Sequence, residues 1–187
     1  MSMITDYITK TQTTIGDIAS IESSIQDFAN VCVEALSHGN KVIFCGNGGS
    51  AADSQHLSAE LMGRFLKDRA PLAALALTVD TSALTAIGND YGYEQVFARQ
   101  LGGIGHTGDV LVGLSTSGNS ANIVNAFHKA KSMGILTVAM TGHRASALST
   151  LADITIYAPS DETNHIQECH ITIGHLVCKI VEEEMFP

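Results

Sequence analysis

VIFCGNGGSAADSQHLSAEL, residues 42–61, runs from four apolar residues through a glycine- and serine-rich turn into a stretch with helical spacing. VLVGLSTSGNSANIVNAFHKA, residues 110–130, repeats that order, and ILTVAMTGHRASALSTLAD, residues 135–153, is a weaker third copy. Strand, small-residue turn, helix is half of a βαβ unit. Its recurrence predicts a parallel sheet joined by right-handed crossovers. The copies are too irregular for a solenoid.

Outward from these copies, five apolar runs read as strands, at residues 42–45, 72–79, 109–114, 135–140 and 153–158. The runs are too continuous for a half-exposed sheet, so both faces should be covered. Between about Thr5 and Ser37, the residues Ile15, Ile18, Ile21, Ile25, Phe28, Val31, Cys32 and Leu36 recur at helical spacing, and Gly39-Asn40 is a helix stop. The less apolar part before Gly16 reads as a separate helix that packs on another subunit. From about Thr163 to Glu184 a second long pattern predicts an amphipathic C-terminal helix. The expectation is an α/β fold, a five-stranded parallel sheet flanked by helices, in one domain over 1–187. Residues 1–40 form its N-terminal helical region, and 41–187 its α/β core and C-terminal helix.

The chain has 187 residues, enough for its own core, and carries 10 Lys+Arg against 19 Asp+Glu, a formal charge of −9. Without a basic cluster it does not read as a nucleic-acid binder. An anionic small substrate would have to be met by backbone N–H groups, helix N-termini or a metal. No apolar run is long enough for a membrane span. The opening MSMITDYITK lacks the apolar core of a signal peptide, so a cytoplasmic location is expected. Cys32, Cys45, Cys169 and Cys178 show no C-x-x-C spacing and read as buried free thiols.

Gly46, Gly48 and Ala51 fit the dinucleotide pattern G-x-G-x-x-G/A. The acid that should follow is poorly placed, because Asp80 lies about thirty residues on where about twenty is expected. Ser115, Thr116, Ser117 and Ser120 surround Gly118 in the second loop. Hydroxyls and bare N–H groups at a helix start suit a phosphate monoester. The plainer reading is a serine-rich turn and cap. Two such loops at the carboxyl ends of strands in one sheet favour a ligand.

His56 and Glu60 are four apart and share a helix face, where they could ligate one metal ion or act as base and orienter. A solvated surface pair is the alternative. Gln167 and His175, eight apart on the last helix, stand about 80° and about 12 Å from each other. One site could use both only if the helix is irregular near Gln167 or if different subunits contribute. His106, His128, His143, His165 and His170 read as surface or packing residues, and Arg64 and Arg99 as possible phosphate helpers or ordinary surface cations.

GDVLVGLSTSGNSANIV resembles the sugar-isomerase (SIS) domain signature for phosphosugars. CGNGGSAADSQHLSAELMGRF, AIGNDYGYEQVFARQ and IQECHITIGH together resemble the phosphoheptose isomerase family, over nearly the whole chain from about Lys41. The resemblance implies a flavodoxin-like SIS fold and an aldose-ketose isomerase that converts D-sedoheptulose 7-phosphate to D-glycero-D-manno-heptose 7-phosphate through an enediol, for bacterial lipopolysaccharide precursors. It implies one zinc per subunit on His56, Glu60, Gln167 and His175, with Glu60 and His175 as the catalytic pair. Asn47, Gly48, Gly49, Ser50, Glu60, Asn89, Asp90 and Gln167 would bind the sugar, and Ser115, Thr116, Ser117 and Ser120 the phosphate. The resemblance also implies a homotetramer. A non-catalytic SIS module that binds phosphosugars or a replication initiator is the rival reading. It has no need of an acid and a base at Glu60 and His175.

Overall fold

The strands β1 (Val42–Gly46), β2 (Ala74–Ala76), β3 (Val110–Leu114), β4 (Leu136–Thr141) and β5 (Ile154–Tyr157) pair in the order β2-β1-β3-β4-β5, every pair parallel. This is the expected five-stranded sheet, seen here in a computed structural model that describes residues 2–187. Alternation along each strand sends side chains to two separate cores. Val42, Phe44, Val110, Val112 and Met140 face one side with residues of α2 (Glu22–Ser37), α3 (Gly49–Met62) and α8 (Thr163–Met185). Ile43, Cys45, Leu111 and Ala139 face the other, against α5 (Val96–Ile104), α6 (Ala121–Ser132) and α7 (Ala147–Leu151). Both faces are therefore covered, which is why the strand runs are apolar without interruption.

The order reverses between β1 and β3. In an open α/β sheet that is where a crevice opens beyond the strand ends. The β1–α3 loop and the β3–α6 loop, the two small-residue turns, flank it.

Two expectations change in extent. The apolar run 72–79 contains only three strand residues, because β2 is an edge strand paired to β1 alone. After Leu77 donates its N–H to the Phe44 carbonyl at 2.9 Å, the chain leaves the sheet for α4 (Thr81–Tyr91). Asp80 caps that helix, accepting the Ala83 N–H at 2.9 Å. Its carboxylate thus has a structural role away from the glycine loop, and the dinucleotide reading loses its acid. The N-terminal helix pattern breaks at a 3₁₀ turn, Ile18–Ile21, between α1 (Met3–Asp17) and α2, slightly beyond Gly16.

Helix α1 docks on α8 of its own chain. Tyr7 donates its hydroxyl to Glu168 at 2.6 Å, and Lys10 pairs with Glu162. Its apolar residues Met3, Ile4, Tyr7 and Ile8 remain exposed. All four cysteines are buried and free, as expected. Burial, helped by the charge of Glu60, pushes the Cys178 thiol up to about 12, so it is inert at neutral pH. Among the described residues no helix is long and apolar enough to cross a membrane.

Candidate active site

Helices α3 and α8 pack side by side, and three side chains meet in the seam. His56 and Glu60, one turn apart on α3, stand with Nε2 3.0 Å from Oε1. His175 of α8 brings its Nε2 within 3.4 Å of His56 Nε2. One ligand atom from each of the three lies within 4.8 Å of the others. The Phe65 ring sits 5.7 Å from the His175 ring. Leu57, next to His56, lies against Gly174, next to His175. A Cβ at Gly174 would come within 2.4 Å of the leucine side chain, so the glycine allows the close approach.

An imidazole nitrogen without a proton offers a lone pair, and a carboxylate offers only acceptors. Lone pairs converging in this way are favourable around a proton or a cation. Ligand atoms about 2.0–2.1 Å from a tetrahedral zinc stand about 3.3 Å apart. The observed 3.4 Å between the two nitrogens matches that spacing, and the N,N,O donor set suits a divalent borderline metal. The cluster therefore fits a metal ion.

Gln167 is elsewhere. Its amide rests on Gly49, with Nε2 2.6 Å from where a Cβ would stand. Gly49 precedes His56 by two turns, about 10 Å along α3. Helix α8 runs without interruption from Thr163 to Met185, so an irregular helix does not bring Gln167 to His175. Among the described residues no hydrogen bond joins Gln167 to the cluster. The face of α3 that carries Gly49, His56 and Glu60 also carries Asp53, which the sequence reading did not single out. Its Oδ2 is buried with no partner. Burial raises its pKa, and the neighbouring His56 pulls it back down.

Between the loops, the amides of Asn47 and Asn122 bond reciprocally, at 2.9 Å in each direction. Tyr93 adds its hydroxyl to Asn47 Oδ1 at 3.0 Å. Gly48, at φ +57°, turns the chain into α3, and Ser50 is buried with its N–H on the Asn47 carbonyl. Asn122 and Tyr93 also escaped the sequence reading. Asn122 stands at the start of α6, a position open to inspection once the preceding loop is suspected, whereas nothing in the spacing links Tyr93 to Asn47.

In the β3–α6 loop, the Ser115 hydroxyl lies 2.9 Å from that of Ser120 and 3.5 Å from that of Ser117. Ser120 occupies the N-cap of α6 without using its side chain as a cap, which leaves its hydroxyl turned to Ser115. Thr116 and Ser117 line a cavity of about 370 Å³ with His143 and Arg144 across it. The unpaired N–H groups of a helix's first turn and these hydroxyls form an acceptor-binding cradle without a lysine. Asn89 and Asp90, at the end of α4, are exposed and bond to each other at 2.8 Å. Among the described residues neither bonds to the loops. Arg99 is stacked 3.6 Å over the Tyr91 ring, and Arg64 is exposed, with no ion pair among the described residues.

The candidate site thus has two parts, the Glu60–His56–His175 cluster in the α3–α8 seam and the hydroxyl and amide groups of the two loops at the carboxyl edge of the sheet. The chain resembles known proteins over nearly its whole length. A SIS domain profile matches residues 6–142. A phosphoheptose isomerase of Akkermansia muciniphila is 59% identical over 169 residues, 90% of this chain and 89% of that one. The structure of a phosphoheptose isomerase from Francisella tularensis superposes with a TM-score of 0.93 at 36% identity, covering 96% of both chains. That of the phosphoheptose isomerase from Neisseria gonorrhoeae gives 0.91 at 38% identity, over 96% of this chain and 97% of the other.

Proposed function

This chain belongs to the SIS-domain family and, within it, to the phosphoheptose isomerases, and from that we propose that it converts D-sedoheptulose 7-phosphate to D-glycero-D-manno-heptose 7-phosphate. The observation that carries the reading is the meeting of Glu60, His56 and His175 across α3 and α8. A non-catalytic phosphosugar-binding module would not need that meeting.

Glu60 takes a proton from C1 of the ketose. The C–H electron pair becomes the C1=C2 bond of an enediol, and the C2 oxygen gains a proton. His175 moves the proton between the two oxygens, a task that suits imidazole near neutral pH. Glu60 then returns its proton to C2, and O1 is left as the aldehyde oxygen. Ser115, Thr116, Ser117 and Ser120 hold the phosphate, and Asn47, Gly48, Gly49, Ser50, Asn89 and Asp90 hold the sugar. Anchoring the remote phosphate positions C1 and C2 at the base. His56, Glu60 and His175 would hold one zinc ion per subunit, with Gln167 joining only from a neighbouring subunit, since within one chain it lies against Gly49. Bound there, zinc would supply a Lewis acid for the carbonyl oxygen. Glu60 serves as base when its carboxylate is free to turn toward C1.

The exposed apolar face of α1 and the separation of Gln167 from His175 support a homotetramer with active sites shared between subunits. We place the reaction in the cytoplasm, in the synthesis of heptose precursors of lipopolysaccharide. The test is to incubate metal-replete protein with sedoheptulose 7-phosphate and follow the aldose by NMR. Absence of turnover overturns the proposal.

A further inference from the structure

From the knot that joins residues 60–69 to α8, we infer that Arg69 and Glu182 are positioning residues for the Glu60–His56–His175 cluster: they set the reach between α3 and α8 without touching substrate. Both side chains are only 2% exposed, and Arg69 Nε donates to Glu182 Oε2 at 2.9 Å. A buried ion pair costs desolvation on both sides and is retained only where further bonds use the remaining donors and acceptors. Here they are used in full view of the site.

Glu182 stands two turns beyond His175 on the same stripe of α8. Its carboxylate accepts the backbone N–H groups of Phe65 at 3.1 Å, Leu66 at 2.9 Å and Lys67 at 2.7 Å. Burial works against its ionisation, but these N–H groups and the guanidinium outweigh it and hold the pKa below the ordinary range. Arg69 reaches the other way. Its Nη2 donates to the carbonyl of Glu60 and its Nη1 to that of Leu61, each at 2.9 Å. These are last-turn carbonyls of α3, which have no partner within the helix. The guanidinium therefore caps α3 at the residue that carries the base, and its charge complements the helix C-terminus.

Three parts of the site are thus tied to one ion pair. They are the backbone of Glu60, the backbone of Phe65 whose ring lies on His175, and the stripe of α8 that carries His175. Next to His56 and His175 themselves, Leu57 closes on Gly174. With the knot loosened, the last turn of α3 and the Phe65 segment would lose their fixed distance from α8.

The inference rests on the metal-and-base reading of the cluster, so the experiment separates the two. Co²⁺ is titrated calorimetrically into metal-free wild type, Glu182→Gln, Arg69→Lys and Leu148→Ala, and kcat and KM are measured on the same proteins. Leu148 is fully buried on the opposite face of the sheet and serves as a control for general destabilisation. Supporting residues of metal ligands are worth about 10–100-fold in metal affinity. The expected result is at least a tenfold weaker Co²⁺ affinity and a lower kcat at similar KM in Glu182→Gln, a smaller loss in Arg69→Lys, and wild-type affinity in Leu148→Ala. If the knot variants lose stability like Leu148→Ala but bind Co²⁺ as tightly as wild type, the inference is overturned and the metal reading stands. If wild type itself takes up no Co²⁺, the metal reading fails and the inference with it. Should Glu182→Gln not fold, Arg69→Lys decides the same question.

Discussion

Asn47 and Asn122 face each other across the mouth of the sheet, each amide donating to the other's oxygen at 2.9 Å. The pair locks the β1–α3 loop to the start of α6, next to the hydroxyl cradle. Asn122 is almost fully buried, and a substitution that removes its donor leaves Asn47 Oδ1 with the Tyr93 hydroxyl alone. Loss of one such hydrogen bond costs about 0.5–1.5 kcal/mol. Asn122→Asp should raise KM for the sugar phosphate by about tenfold or more, with a smaller change in kcat. Steady-state kinetics at several substrate concentrations would show this, and an unchanged KM would remove the pair from substrate binding.

Glu60 is the base in the proposed reaction. Positioned general bases contribute about 10²–10⁴-fold. Glu60→Gln should lower kcat by at least about a hundredfold while leaving the fold intact by circular dichroism. Exchange of the C1 proton with deuterated solvent, followed by NMR, should slow in parallel. A variant that exchanges at the wild-type rate would assign the base elsewhere.

Gly49 leaves room for the Gln167 amide, and a methyl there would stand 2.6 Å from its nitrogen. The amide is the end of a flexible side chain, so Gly49→Ala should displace Gln167 at little cost in stability. The expected outcome is a clear loss of activity with a melting temperature close to wild type. Gly174→Ala makes the contrast, since its methyl meets the packed Leu57 side chain at 2.4 Å. Overpacking of that kind costs about 1–3 kcal/mol, and both stability and activity should fall.

His170 is fully buried, with Nε2 bonded to the Thr141 carbonyl at 3.2 Å. Burial lowers its pKa to about 4, against a smaller opposing effect of that bond. The unfolded chain binds a proton here below about pH 6.5 and the folded chain does not until about pH 4. Stability is therefore complete above pH 6.5 and lost as the pH falls toward 4. Between pH 7 and 5 the loss should be about 2 kcal/mol. Urea unfolding of wild type and His170→Gln at both pH values tests this, because the glutamine can keep the bond but has no proton to gain. Equal slopes in the two proteins would remove His170 from the acid sensitivity.

The recurrence of strand, small-residue turn and helix, and the unbroken apolar strands, are local properties of the chain. They determined the parallel sheet, its covered faces and the two loops at its carboxyl edge. His56 and Glu60 were legible for the same reason, since a spacing of four puts two side chains on one helix face. Edge effects were not legible. The run 72–79 is apolar throughout, yet only Ala74–Ala76 pairs, because this edge segment leaves the sheet for α4 while the neighbouring β1 continues to Gly46.

Everything that joins distant segments belonged to the tertiary structure. His175 comes to within 3.4 Å of a residue 119 positions away, through two helices packed in register by Leu57 and Gly174. Gln167 shares a helix with His175 but rests two turns off, against Gly49, because an unbroken helix keeps its rise. Asn122, Asp53, Arg69 and Glu182 gain their meaning only from what they face. Periodicity tells which side of its own element a residue occupies, while packing decides which residue from another element it meets.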